Sequence, residues 1–502
     1  MIQTVVLTAI IGATFTACND DESDPVYVLS SSTTVRSFNL SADKKLLPHL
    51  DSVFFSIDLY SRQIFNADSL PYGTKVDKLV PVVKVESASA IEFIVTKENG
   101  TDTTYNYIEH SSDSISFVNP VKLRVVSVDG LYESVYTVRV NVHQVKTDSL
   151  VWQNLASGQL PTLLDGVTTQ HTTVTPAGIF YCLTEYNGEY CMASTTDPSS
   201  DWQAKKIRFD FTPDVNNFVA GDETFYILDV DGNLYESQTS DYVWQSSGVK
   251  AKSIIGLYNN NVITTSQTGT DWTLQQYPAG ITTSAPTDFP VMNTSTPTLV
   301  TFEMSTNPQM IITGGRKADG QLTNASWGFD GNSWVKVSRT GLPAAIENMS
   351  LAPYYQYEVD SVSWKPKEPR NILLAMFGND EKGVLNDQTY MSVNYGLTWD
   401  TVPDFMQLPA TLVPLRTNAQ IYCYTHTNTT ALTTKAPGKR NLQIVWQNLI
   451  EETKKPKSRI NNLDEQWEVP YLYMFGGTNG AGTTYNTVYR GVITAFTFAP
   501  LQ

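Results

Sequence analysis

A chain of 502 residues with 17% charged, 41% apolar and 11% aromatic side chains has the make-up of a folded protein. By length it holds about two to four domains rather than one small core. Fifty acidic against thirty-four basic side chains leave a net charge of −16 with no Lys/Arg-rich run, which excludes nucleic acid as the partner.

Residues Val5 to Phe15 form an apolar stretch broken only by Thr and Gly. It is too short to span a bilayer comfortably and reads as the core of an export signal over residues 1–17. The segment ahead of it lacks Lys and Arg, the first basic residue being Arg36. Small residues follow in Thr16-Ala17-Cys18, which resembles the bacterial lipobox. The resemblance implies that Cys18 becomes a lipidated mature N-terminus. Residues 18–25, including Asp20, Asp21, Glu22 and Asp24, then form an acidic tether with nothing to pack. This pattern resembles surface lipoproteins of gut anaerobes, and implies attachment to the outer membrane through the lipid anchor, facing outward.

From 26 to 146 short alternating runs dominate. Val53, Phe55, Ile57 and Leu59 share one face, and Ile91, Phe93 and Val95 another. Val121 to Val142 reads as a hairpin turning on Asp129-Gly130 as a two-residue type I′ turn. An immunoglobulin-like β-sandwich is the expectation, with spacing or display as its job.

From 147 to 502 internal repetition decides the fold. Met310-Ile311-Ile312-Thr313-Gly314-Gly315 is followed by Trp327 at a spacing of twelve and by Trp334 seven later. Tyr473-Met474-Phe475-Gly476-Gly477 is followed by Tyr489 and Phe496 at the same spacings. An apolar strand ending in Gly-Gly, then aromatics on the next two strands, resembles the kelch repeat of β-propellers. Ser392-Val393-Asn394-Tyr395-Gly396-Leu397-Thr398-Trp399 resembles the Asp-box of sialidase-type propellers, with Asn394 in place of the usual Asp. There the box is a structural brace, and its Trp is buried between blades. Trp202, Trp244, Trp272, Trp334, Trp399 and Trp446 would close six blades. The strand carrying Trp152 would complete a seventh begun by residues 471–496, closing the ring with strands from both ends of the domain. The expectation is an all-β chain whose propeller has six or seven blades, seven preferred.

Candidate chemistry is sparse. Arg208, Arg316, Arg370, Arg416 and Arg490 are scattered rather than set in the motif of a sialidase arginine triad. His171 and His426 do not match the ligand set of a kelch-class copper oxidase. Three cysteines remain after Cys18: Cys182 and Cys191 flank the turn Asn187-Gly188, diagonal to each other in its register, and Cys423 stands alone. A bridge between the first pair stays open. Tyr354-Tyr355-Gln356-Tyr357 could stack on sugars, or simply line a strand. Asp-Ser/Thr pairs at Asp51, Asp68, Asp113, Asp148, Asp360 and Asp400 resemble the O-glycosylation acceptor of the same bacterial group. No catalytic residue, metal site or cofactor is assigned.

The functional expectation is a non-catalytic surface binding or adhesion lipoprotein taking a glycan or protein ligand. The alternatives are a carbohydrate-active hydrolase or lyase using the propeller funnel, and an envelope scaffold.

Overall fold

The computed structural model describes residues 29–97, 100–155, 158–301, 307–356, 370–431 and 464–494. The export segment, Cys18 and the tether, together with Tyr357, Asp360, Trp446 and Phe496, lie outside the described residues. The described chain is built from strands, with two single turns of 3-10 helix at Leu50–Ser52 and Asp404–Met406. It divides into two compact units, one reaching Asn141 and the other beginning at Val142, with Pro71–Gly73 counted in the second.

The N-terminal unit is a β domain of two sheets. Val35–Leu40 pairs antiparallel with Pro81–Val85. A six-stranded sheet runs in the order Phe55–Asp58, Gln63–Asn66, Glu133–Arg139, Val121–Val126, Ala90–Thr96, Asp102–Asn106. Within it Gln63–Asn66 and Glu133–Arg139 are parallel. Alternation does what it should: Val121, Leu123 and Val125 are buried while Lys122 is exposed. Phe38 meets Phe55 edge-on at 4.8 Å, so the two sheets share one aromatic core. The hairpin at 121–139 is present, but its turn is not the expected one. Val126 pairs with Glu133, and Gly130 N–H closes on Ser127 O at 3.0 Å. Gly130 has a positive φ and Asp129 does not, so the type I′ geometry is not adopted. Ser127 and Asp129, joined through their side chains, hold a six-residue loop in its place.

The second unit is a β-propeller of six four-stranded antiparallel sheets among the described residues. Blade 1 is Thr169–Val174, Phe180–Tyr186, Glu189–Thr195 and Gln203–Ile207; blade 2 is Pro213–Ala220, Thr224–Asp229, Asn233–Gln238 and Gln245–Lys250. Blade 3 is Ser253–Tyr258, Asn261–Thr268, Asp271–Tyr277 and Ile281–Ser284; blade 4 is Thr298–Val300, Gln309–Thr313, Ser326–Phe329 and Trp334–Lys336. Blade 5 is Ser350–Gln356, Arg370–Met376, Tyr390–Ser392 and Asp400–Thr401. Blade 6 takes Gln420–Ala431, Asp464–Phe475 and Val488–Ile493 from the end of the chain and Leu150–Asn154 from the start of the domain.

Of the two counts the sequence allows, the described residues form six. Six separate apolar clusters fill the six wedges between neighbouring blades. A seventh blade built on Trp152 is not formed among the described residues, because the strand of Trp152 completes blade 6. Trp152 lies on the outermost strand of blade 6, and residue 446 falls in chain order between that blade's first two strands. The ring closes as expected, by pairing Leu150–Asn154 with Val488–Ile493. Gln170 of blade 1 also donates to Gln420 of blade 6 at 2.9 Å, across 250 residues of sequence.

The repeat residues sit where wedge packing needs them. Trp334 is 9% and Trp399 3% exposed. Gly314 has φ 65°, and a Cβ there would strike the carbonyl oxygen of Ile346 at the entry of blade 5. Its neighbour Gly315 donates to that same carbonyl at 2.9 Å. Gly378 repeats the contact one blade on, donating to Arg416 O at 3.1 Å. In 392–399 the Asn394 side chain accepts from Thr398 N–H at 2.9 Å, and Ser392 Oγ accepts from Gly396 N–H at 2.8 Å. The turn is braced as its resemblance implies.

Candidate functional site

The innermost strands of all six blades surround a cavity of about 560 Å³. Two of them are irregular where they face it. The register of Pro213–Ala220 slips between Asp214 and Phe218, and that of Ser253–Tyr258 between Ile254 and Gly256. Such bulges re-aim side chains that regular pleating would turn into the wedges. In blade 2 the slip brings Asp214, Asn216 and Asn217 to the lining. Asn217 is committed to structure, accepting from Ile254 N–H at 2.7 Å and donating to Asp214 at 2.8 Å.

A second set of polar groups comes from the entries to blades 4, 5 and 6. Asn293, Asn348 and Asn418 each precede an inner strand and each adopt the left-handed conformation that asparagine tolerates. They are chained by backbone bonds: Asn348 N–H to Asn293 O at 2.9 Å, and Asn418 N–H to Asn348 O at 3.1 Å. The Asn293 amide is held by Glu347 at 2.7 Å. Among the described residues the side-chain amides of Asn216, Asn348 and Asn418 have no hydrogen-bond partner, and all three line the cavity. Aliphatic groups complete the wall, including Ile254, Leu257, Pro297 and Leu299.

Charge is nearly absent from this lining. Asp214 is its one carboxylate, and neither lysine nor arginine contributes. His171 faces the cavity, and enclosure by protein pushes its imidazole down to about 4, so it is neutral at physiological pH. A wall of free amides, one carboxylate and aliphatic patches can exchange hydrogen bonds with a neutral, hydroxyl-rich ligand.

The other residues singled out in the sequence fall elsewhere. Arg316 forms a two-pronged pair with Glu347, at 2.6 and 3.0 Å. Burial raises the Glu347 carboxyl, but the hydrogen bonds from Arg316 and Asn293 outweigh it and hold the group below its ordinary range. Arg416 is fully buried, stacked on Tyr485 at 4.4 Å and bonded to Gly476 O at 2.6 Å. Arg490 lies over Tyr471 at 4.3 Å, and His426 shares a 2.6 Å hydrogen bond with Tyr473 of the neighbouring strand within blade 6. Thus Arg316, Arg416 and Arg490 are each committed to a different partner, and of the two histidines only His171 lines the cavity. Tyr354 is buried and donates to Pro470 O at 2.6 Å, lining a strand, while Tyr355 is exposed. Cys182, Cys191 and Cys423 are free thiols, the first two on adjacent strands in the diagonal register expected of the Asn187-Gly188 turn.

Of the cavity residues the sequence pointed to His171, Met310 and Cys423, each in another role. The usable signal was the recurrence of Asn two residues before a buried polar side chain: Asn293 with Ser295, Asn348 with Ser350, Asn418 with Gln420.

No curated protein matches the chain in sequence. Among solved structures, YjhT is similar with a TM-score of 0.37 at 10% identity, covering 66% of this chain and 95% of that one. AofleA from Arthrobotrys oligospora gives 0.33 at 9% identity, over 70% and 95% of the two chains. The Aleuria aurantia lectin, described as a six-bladed β-propeller with a novel fucose recognition mode, gives 0.30 at 12% identity over 51% and 82%. At such scores the likeness carries no functional information. Family models match both units: a DUF6242 N-terminal domain, of unknown function, over residues 29–140, and a DUF6242 beta propeller domain over 146–501. The chain is accordingly a member of the DUF6242 family, joining that family's N-terminal domain to its β-propeller domain.

Proposed function

We propose that the protein is a lipid-anchored surface lipoprotein whose propeller binds a neutral saccharide in the axial cavity without cleaving it. The observation that carries this reading is the set of unpartnered amides of Asn216, Asn348 and Asn418 around a cavity of about 560 Å³. That volume lies within the roughly 300–1,000 Å³ of small-molecule sites. Amides and one carboxylate recognise hydroxyls, while a wall without cations gives no counter-charge to a uronic or sialic acid. Glycoside hydrolysis by paired acids needs two carboxyls about 5 to 10 Å apart. Among the described lining residues there is Asp214 alone.

Anchoring rests on Thr16-Ala17-Cys18 and the acidic stretch after it, which support lipidation of Cys18 and residence on the outer membrane. Under this reading the N-terminal β domain is an immunoglobulin-like spacer. The Gly-Gly turns support a kelch-type origin for the later blades.

The test is a glycan array with the mature chain, followed by calorimetry and product analysis on the hits. Neutral oligosaccharides are expected to bind, and Asp214→Ala and Asn348→Ala to weaken them at least tenfold with the fold intact. Preference for acidic glycans, or indifference to both substitutions, would remove the cavity from the account. Accumulating cleavage product would make the protein a carbohydrate-active enzyme instead.

A further inference from the structure

Most of the exposed large apolar side chains of the N-terminal domain stand at one end, with Phe54 and Val118 exposed at the other. The parallel register of Gln63 with Thr137 places the loop before Gln63 beside the start of Glu133–Arg139. Val126 opposite Glu133, and Ala90 opposite Val126, bring the 127–132 loop and the start of the next strand to the same end. Tyr107 N–H bonds to Ile91 O, and Val128 N–H to Ser30 O, adding the 107–110 loop and the first described residues. On this end stand Leu29, Leu59, Tyr60, Ile108, Leu131 and Tyr132. Tyr60 is 100% exposed, Leu131 77% and Tyr132 59%. Large apolar side chains grouped on loop tips signify a partner surface rather than chance exposure.

We infer that this end rests in the membrane interface, its Leu and Tyr side chains dipping among the lipids that hold the anchor; the inference depends on the lipoprotein reading of Cys18. The chain enters the domain at this end. Leu29 lies eleven residues beyond Cys18, a span of at most about 40 Å. The described strands end at the opposite pole, where Arg139 leads to Asn141. A tether so placed draws the apolar end, and not the other, toward the bilayer. Tyr and Leu suit that boundary, with ring and chain in the acyl region and the phenol at the headgroups.

Charge does not drive the contact. Asp58, Glu109 and Asp129 belong to this end and outnumber Arg62, its one cation outside an ion pair among the described residues, while Arg36 and Arg124 are already paired with Glu86 and with Glu92 and Glu133. Apolar insertion is thus the source of the attraction, and it requires no anionic lipid.

The test uses the full lipidated chain in phosphatidylcholine vesicles, with an environment-sensitive fluorophore on Tyr60→Cys, Leu131→Cys or, at the opposite end, Val118→Cys. All three sites are exposed, so labelling leaves the fold alone; the unmodified chain gives the background from the native thiols. Probes at 60 and 131 are expected to shift to the blue and to be quenched by brominated phosphatidylcholine at least threefold more than at 118. Replacing a third of the lipid with phosphatidylglycerol is expected to leave that unchanged. Equal quenching at both ends overturns the inference, as does quenching that appears only with phosphatidylglycerol. A blue-shifted probe that brominated lipid does not quench means protein covers this end, and also overturns it. Flotation and intact mass report the anchor separately: a chain that floats with acylated Cys18 but keeps a wet tip loses only this inference. One that neither floats nor carries acyl groups loses both.

Discussion

Trp399 of blade 5 donates its indole N–H to Ser326 Oγ of blade 4 at 2.8 Å, and that hydroxyl shares a 2.9 Å hydrogen bond with Thr313. Trp334, in the wedge between blades 3 and 4, has an indole N–H with no partner among the described residues. The two tryptophans are equivalent in the sequence repeat but differ in chemistry. Trp399→Phe is expected to cost about 1–2 kcal/mol more than Trp334→Phe, because it removes a buried hydrogen bond as well as ring area. Urea unfolding of the two variants decides this; equal losses would mean that the indole bond contributes nothing.

Gly314 and Gly320 both have positive φ, 65° and 83°, yet they stand in different surroundings. A methyl group at 314 meets the backbone of Ile346, whereas nothing lies within 4 Å of one at 320. Gly320→Ala should therefore cost about 1 kcal/mol of backbone strain, and Gly314→Ala distinctly more, about 3 kcal/mol or above. Comparable melting temperatures would contradict the close approach of blades 4 and 5.

The Arg316–Glu347 pair predicts a pH signature. Glu347 is held below the ordinary carboxyl range in the folded state, so its contribution is complete above about pH 4.5. It is lost as pH falls through the lowered folded value. Glu347→Gln removes the two short charge-assisted hydrogen bonds and leaves Arg316, a quarter exposed, with only the 3.6 Å carboxylate contact to Glu381, and should destabilise by about 1–2 kcal/mol near pH 7. The gap between variant and parent should close in acid. Denaturation curves between pH 3 and 8 check it, and a gap independent of pH would show that the ion pair is not its source.

Cys182 and Cys191 are fully buried, and burial pushes the thiols of Cys182 and Cys423 up to about 12. Thiolate is the reacting form, so the native protein should be alkylated slowly at pH 8 and quickly once unfolded. Mass spectrometry after brief iodoacetamide treatment distinguishes the cases. Rapid native labelling of Cys182, or a mass two units low from a bridge, would contradict this packing.

The sequence disclosed architecture better than site, for a physical reason. Gly314-Gly315 and Gly476-Gly477 are local necessities, since each turn must pass close to a neighbouring backbone or side chain, and such constraints leave a pattern in the chain. The tryptophan markers were looser. Trp244 leads the fourth strand of blade 2, while Trp272 lies on the third strand of blade 3, which explains their short interval. Beyond the short Asn-x-polar recurrence at 293, 348 and 418 the cavity leaves little trace in the sequence, because its wall is drawn from residues as distant as His171 and Cys423. Two β-bulges and three left-handed asparagines shape it, and period-two alternation marks neither. The loop at 127–132 departs from the expected two-residue turn because Asp-Gly permits several turns, and the Ser127–Asp129 contact selects another.

Blade 6 has one strand from the beginning of the propeller and three from its end. A polypeptide delivered amino-terminus first presents Leu150–Asn154 long before Val488–Ile493 exists to receive it. Until then an open edge waits, exposed to pairing with other chains. Closing the ring is therefore a long-range docking event that must await synthesis of Val488–Ile493. A premature stop ahead of Val488 would leave five finished sheets and Leu150–Asn154 without its partner.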